Sequence, residues 1–173
     1  MQGTVQKITP CLCYNNQAEK AVNFYTSVFK DAEILSVSRY GEEDMKALAS
    51  LPEDIRPGPE GSVSTITFRL FGQKYWAANC GAYFTFTQAI SLVVNCENQA
   101  EIDEYWEKLS EGGEQQQCGW LKDKFDVSWQ IVPAVLEQML NDPDNMKKQA
   151  VMAEVYKMKK MDIETLKRAY DKI

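Results

Sequence analysis

Histidine is absent from all 173 residues of this chain. That absence removes the Ser-His-Asp and Cys-His nucleophile pairs, the histidine general base and every imidazole metal ligand. No CxxC pair occurs among the five cysteines, Cys11, Cys13, Cys80, Cys96 and Cys118, and an odd number in a chain of this length is no disulfide framework. No run approaches the roughly 18 apolar residues of a membrane span. The opening MQGTVQK lacks the apolar segment of a secretory signal. An excess of positive charge is also missing: 19 Lys and Arg stand against 25 Asp and Glu, a net −6. Nucleic acid and anionic membranes reward clustered Lys and Arg, so neither is an expected partner. The chain reads as a cytoplasmic protein with reduced thiols.

What is present is ordinary core material, 45% hydrophobic and 25% charged, enough for a real core. Asn16-Gln17-Ala18-Glu19 recurs letter for letter as Asn98-Gln99-Ala100-Glu101, an offset of 82. A short apolar strand precedes each copy, Ile8–Leu12 and Ile90–Val94. After the first copy apolar residues fall at 18, 21, 22, 25, 28 and 29, and after the second at 102, 105, 106 and 109. Each is the stripe of an amphipathic helix. The rest of the first half reads as strands at Glu33–Tyr40, Val63–Phe71 and Lys74–Cys80, with a tight connection at Gly72-Gln73. In the second half Gly112-Gly113 ends the helix. Gln116–Lys122, a turn at Asp123-Lys124 and Phe125–Val132 then make a hairpin closed by Pro133.

The fold class is α+β: β-α-β-β-β twice over, residues 6–81 and 90–133, followed by a helical tail over 134–173. In the tail, Pro133 opens one helix, a second runs from about Asn145 to Met158, and Asp162 caps a third with Ile163, Leu166, Tyr170 and Ile173 on one face. Residues 41–62 are an insertion rich in proline and glycine. Its Met45, Leu48 and Leu51 give a short turn one greasy side, which reads as a flap over a pocket mouth or as an idle loop. Cys11 and Cys13, two apart on a strand, share a face; they read as half a zinc site or as two small apolar side chains. The acidic run Glu97, Glu101, Asp103, Glu104 and Glu107 reads as the solvated face of the second helix.

The tandem βαβββ pattern, TPCL followed by NQAEKAVNFYTSVF, and CGWLKDKFDVSWQIVP resemble the PhnB-like branch of the vicinal oxygen chelate superfamily. This branch carries the label 3-demethylubiquinone-9 3-methyltransferase domain. The superfamily also holds glyoxalase I, bleomycin-resistance proteins and extradiol dioxygenases. The resemblance covers about residues 6–170 and makes residues 1–173 one such domain, a cup-shaped mixed sheet with a concave pocket. Asp126 stands where the family hairpin carries Gly, and Asp tolerates turn geometry.

The resemblance also implies where a divalent metal would be held: at Pro10, at Leu92, at Tyr75 or Ala77, and at Gln130. Strand parity then gives the inward sets Pro10, Leu12, Tyr14; Leu92, Val94, Cys96; Tyr75, Ala77, Asn79; and Ser128, Gln130, Val132. None is a carboxylate or an imidazole, so no metal and no cofactor are expected. The expected ligand-pocket residues are Tyr14, Tyr75, Asn79, Cys96, Ser128 and Gln130. Tyr75, Trp76, Trp120, Trp129, Phe84 and Phe86 form an aromatic set for a planar ligand or for the core, with Trp76 and Trp129 expected under the helices. The leading reading is a small-molecule binding or sequestering protein, a homodimer with no catalytic metal. The alternatives are a divergent lyase, isomerase, dioxygenase or transferase, and a dimeric scaffold with a filled pocket.

Overall fold

Residues 5–173 are described by the computed structural model, so the first four residues of the MQGTVQK stretch lie outside the described residues. The chain divides between Phe86 and Thr87 into two compact units, and each builds its own four-stranded sheet.

The first unit runs β1 (Cys11–Tyr14), α1 (Ala18–Val28), β2 (Ala32–Arg39), α2 (Glu42–Leu48), β3 (Val63–Leu70) and β4 (Gln73–Asn79). Along α1 the apolar stripe is buried at Ala18, Ala21, Val22, Tyr25 and Val28. The strand order is β1-β4-β3-β2, with β1 and β4 parallel and the other pairs antiparallel. Ile66, Phe68 and Leu70 are buried. Register continues their face through Ala77 and Tyr75 to Leu12, and through Asn79 to Tyr14. This is the face α1 covers: Tyr25 stacks on Phe68 with ring centroids 6.3 Å apart, and its hydroxyl meets that of Tyr14 at 3.2 Å. The opposite face carries Cys11, Cys13, Thr65, Thr67, Trp76 and Ala78. Trp76 is 48% exposed there, so the expectation that it lies under a helix is reversed. The tight turn also differs. It falls at Phe71 and Gly72, one residue early, because both adopt the positive φ (46° and 77°) that a two-residue hairpin connection demands.

The 41–62 insertion is tied at its base. The Gly58 N–H donates to Asn16 Oδ1 at 2.6 Å, the Gly61 N–H to the Tyr40 carbonyl at 2.8 Å, and the Tyr40 hydroxyl to the Asn79 carbonyl at 2.6 Å. A Cβ at Gly81 would lie 1.9 Å from the Ile55 carbonyl oxygen, so only glycine lets the two segments meet. The tip is different: α2 buries none of its residues.

The second unit runs β5 (Leu92–Cys96), α3 (Gln99–Ser110), β6 (Glu114–Gln115), β7 (Trp120–Lys122), β8 (Ser128–Pro133), α4 (Ala134–Leu140), α5 (Asn145–Val155) and α6 (Ile163–Asp171). Its strand order, β5-β8-β7-β6, repeats the topology of the first, with β5 and β8 parallel. Val94, Cys96, Leu121, Trp129 and Ile131 are buried on one face, and α3 buries Ile102, Tyr105, Trp106 and Leu109. The hairpin is shorter in its strands and longer in its turn than the sequence suggested. Asp123 explains why: its carboxylate accepts the Phe125 and Val127 N–H groups at 2.8 and 3.1 Å and the Trp129 indole N–H at 2.8 Å. The loop wraps around that buried anchor, and Asp126 takes the left-handed position at φ 67°. Pro133 closes β8 and precedes α4 by one residue, and α5 stops at Val155. The tail is held to its own unit, the Cys118 and Gly119 N–H groups donating to the Met158 and Lys159 carbonyls at 2.8 and 2.7 Å. Among the described residues no helix is long and apolar enough to cross a membrane.

Candidate functional site

The six expected pocket residues separate into two groups. Tyr14, Tyr75 and Asn79 lie on the helix-covered face of the first sheet. Tyr14 is 3% exposed with Phe86 edge-on at 5.2 Å, and Tyr75 stacks on Phe68 at 5.4 Å, where burial pushes its phenol pKa up. Asn79 spends its amide on structure, Oδ1 accepting the Ala18 N–H at 2.9 Å and Nδ2 donating to the Val63 carbonyl at 2.8 Å. Cys96 is fully buried on the α3 side of the second sheet, and burial, with Glu101 nearby, pushes its thiol up to about 12. Only Ser128 and Gln130 face away from their helix. The correction is one of register: parallel pairing sets Leu92 beside Trp129 and Val93 beside Gln130, so Leu92, Val94 and Cys96 cannot share a face with Ser128 and Gln130.

The open face of the second sheet therefore has a different membership. Trp120 pairs with Gln130 and Lys122 with Ser128 across β7 and β8, while Val93 and Asn95 come from β5 beside Gln130 and Val132. Gln130 Nε2 donates to Ser91 Oγ at 2.8 Å, leaving its amide oxygen on the same patch. Ser128 is 3% exposed, and its Oγ has no hydrogen-bond partner. A buried hydroxyl left unpaired costs about 1–3 kcal/mol, so a group that satisfied it would recover that energy. The local charge is already balanced: Lys122 stands 3.3 Å from Asp126 and 3.9 Å from Glu114. This face thus carries an amide and an indole together with a buried, unpaired hydroxyl, with no free charge from its lysine. Trp120 was expected only as one of an aromatic set for a ligand or the core, and Val93 was passed over. The signal was available, because Trp129 and Ile131 are the apolar alternates of β8 and must take the helix side.

A family model described as 3-demethylubiquinone-9 3-methyltransferase matches residues 6–132. The chain belongs to that family. Among solved structures it is similar to the PhnB protein of Bacillus cereus, at 40% identity over 75% of this chain and 100% of that one, with a TM-score of 0.63. At 16% identity it shares the fold of protein PA1353 from Pseudomonas aeruginosa, covering 75% and 98% of the two chains (TM-score 0.56). It likewise shares the fold of the fosfomycin resistance protein FosX from Listeria monocytogenes, at 16% identity over 82% and 100% (TM-score 0.54). None of the curated proteins matches. PhnB and FosX place this PhnB-like chain in the vicinal oxygen chelate superfamily, with the glyoxalase/bleomycin-resistance fold.

Superfamily membership raises the question of a divalent metal, and the donor set of this PhnB-like chain does not fit one. Among the described residues no three His, Cys, Asp or Glu are grouped to hold an ion. Of the positions the family resemblance singled out, Leu92, Tyr75 and Ala77 face helices, and the Pro10 carbonyl accepts the Trp76 N–H at 2.9 Å. Gln130 alone offers an oxygen, and a single neutral ligand does not hold Zn²⁺, Mn²⁺ or Ni²⁺. Three carboxylates of the acidic run are engaged as well: Asp103 with Lys160 and Gln99, Glu104 with Lys108, and Glu101 with the Glu97 N–H.

Proposed function

We propose that this PhnB-like protein binds or sequesters a neutral, planar small molecule on the open face of its second sheet, without a divalent metal between ligand and protein. The observation that carries this reading is the unpaired, buried Ser128 hydroxyl beside Gln130 and Trp120. A ligand with a hydrogen-bonding edge and a flat apolar body satisfies the first two residues and stacks on the third. Methyl transfer, the activity in the family's description, is not part of the proposal. The parallel pairs are β1/β4 and β5/β8 alone among described strands, so neither sheet has the alternating βαβ winding that cradles a dinucleotide-like cofactor. FosX of Listeria monocytogenes has been crystallised with Mn(II), but at 15% identity that likeness extends to the fold and not to its metal.

A thermal-shift screen tests the proposal. Neutral planar aromatics should raise the melting temperature by several degrees at saturation, and Ser128→Ala should weaken the best of them by about three- to tenfold. Stabilisation by Mn²⁺, Ni²⁺ or Zn²⁺ alone, reversed by a chelator and lost in Gln130→Ala, would overturn it in favour of a metal-dependent enzyme.

A further inference from the structure

On the open face of the first sheet Cys13 has a thiol neighbour on either side, Cys11 and Cys80, although the three do not converge on one point. Cys11 and Cys13 alternate along β1 beside Trp76 and Ala78. Cys80, the next residue of that parity, is fixed just beyond β4 by its N–H donating to the Tyr14 carbonyl at 2.9 Å. Register sets Cys13 beside Ala78, so it lies between Cys11, two residues before it on β1, and Cys80, two residues after Ala78 on the neighbouring chain segment. All three are free; Cys11 is exposed, and Cys13 and Cys80 are half-buried. Two small apolar side chains on one strand would explain Cys11 and Cys13, but not a third sulfur delivered from the far end of the unit.

We propose that this cluster binds a soft monovalent cation, cuprous copper, between the sulfur of Cys13 and that of either neighbour. Thiolate is the ligand type that selects Cu(I). A tetrahedral Zn²⁺ needs four donors, whereas Cys13 meets Cys11 on one side and Cys80 on the other without all three converging. A cation that accepts linear coordination needs only two. Residues two apart on a strand have Cα atoms about 6.6 Å apart, near the upper limit for a disulfide, so an ion bridging two longer sulfur bonds suits the geometry better than an S–S bond. On binding, two thiols release their protons to solvent, both sulfurs donate electron pairs to copper, and no electron is transferred. Burial, then the neighbouring thiols, push Cys11 up to about 11 and Cys80 up to about 12. Cys11 and Cys80 are therefore protonated at neutral pH and slow to oxidise, and copper affinity rises with pH.

The test titrates the full chain anaerobically with Cu(I) against a chromophoric cuprous chelator, with native mass spectrometry and thiol alkylation as readouts. A single copper per chain is expected. It should protect two thiols of the cluster from alkylation and change the emission of the adjacent Trp76. Cys13→Ser should lose binding, Cys11→Ser and Cys80→Ser alone should each retain it, and Cys96→Ser and Cys118→Ser should leave it unchanged. Should Cys13→Ser fail to fold by circular dichroism, the double variant Cys11→Ser/Cys80→Ser, which leaves Cys13 without a partner, must also lose copper. Retention by either variant, or protection of Cys96 or Cys118, overturns the site.

Discussion

Asn79 starts a helix from a distant strand. The N-cap position of α1 is Gln17, whose side chain makes no capping bond, so the first free N–H of the helix depends on the Asn79 amide. The other end of that amide holds the Val63 carbonyl. Asn79→Ala leaves a buried donor and a buried acceptor unpaired, and should cost about 2–4 kcal/mol in chemical denaturation. An unchanged midpoint would show that α1 starts without it. The repeated tetrapeptide sharpens the point. Asn98 caps α3 from an extended backbone, accepting the Glu101 N–H at 3.0 Å. Its twin Asn16 sits at φ 58° and turns its oxygen to Gly58 instead. Identical letters take different roles because only the first unit has an insertion to hold.

At the scale of elements, α6 gives a pH prediction. The Thr165 hydroxyl and N–H hold the Asp162 carboxyl below the usual carboxylate range, favouring the charged form in the folded chain. A depressed folded value adds stability that is present above the unfolded pKa of about 3.9 and is lost as pH falls through the folded one. Amides of α6 should therefore exchange faster on acidification below about pH 4, and Asp162→Asn should flatten that dependence. Equal acid sensitivity in both forms would remove Asp162 as the cause. Helices such as α6 were legible in the sequence because a stripe and a cap are local signals. The tandem βαβββ succession of elements was legible too, through the repeat. Sheet faces were not, because alternation says which residues share a side and not which side a helix covers. That choice follows from packing: α1 and α3 need Phe68, Trp129 and Ile131 beneath them, and register carries their partners along. The Asp123 turn was hidden for a related reason, its length being set by an indole N–H two residues beyond the turn's last residue.

For the molecule as a whole, the outer edge of the first sheet is the exposed feature of the architecture. The tail from α4 to α6 is tied to its own unit, its Met158 and Lys159 carbonyls accepting the Cys118 and Gly119 N–H groups just before β7. Meanwhile β2, eight residues long, is a terminal strand with Ile34, Leu35 and Val37 between 37% and 44% exposed. A long apolar edge is a template for another strand unless charge, proline or a bulge blunts it. Here the bulge between Ile34 and Ser36 interrupts the ladder, and Arg39 and Glu33 flank the apolar stretch without entering it. Self-association through a two-fold axis satisfies such an edge with no new partner chemistry. We therefore expect a homodimer, twice the 19.8 kDa chain mass in sedimentation at micromolar concentration. Leu35→Lys with Val37→Lys should shift it to monomer while leaving α1 and its core intact, since neither residue is buried. The wild-type chain sedimenting as a single 19.8 kDa species would refute the dimer. A wild-type dimer that survived the lysine pair would keep the association but move it off β2.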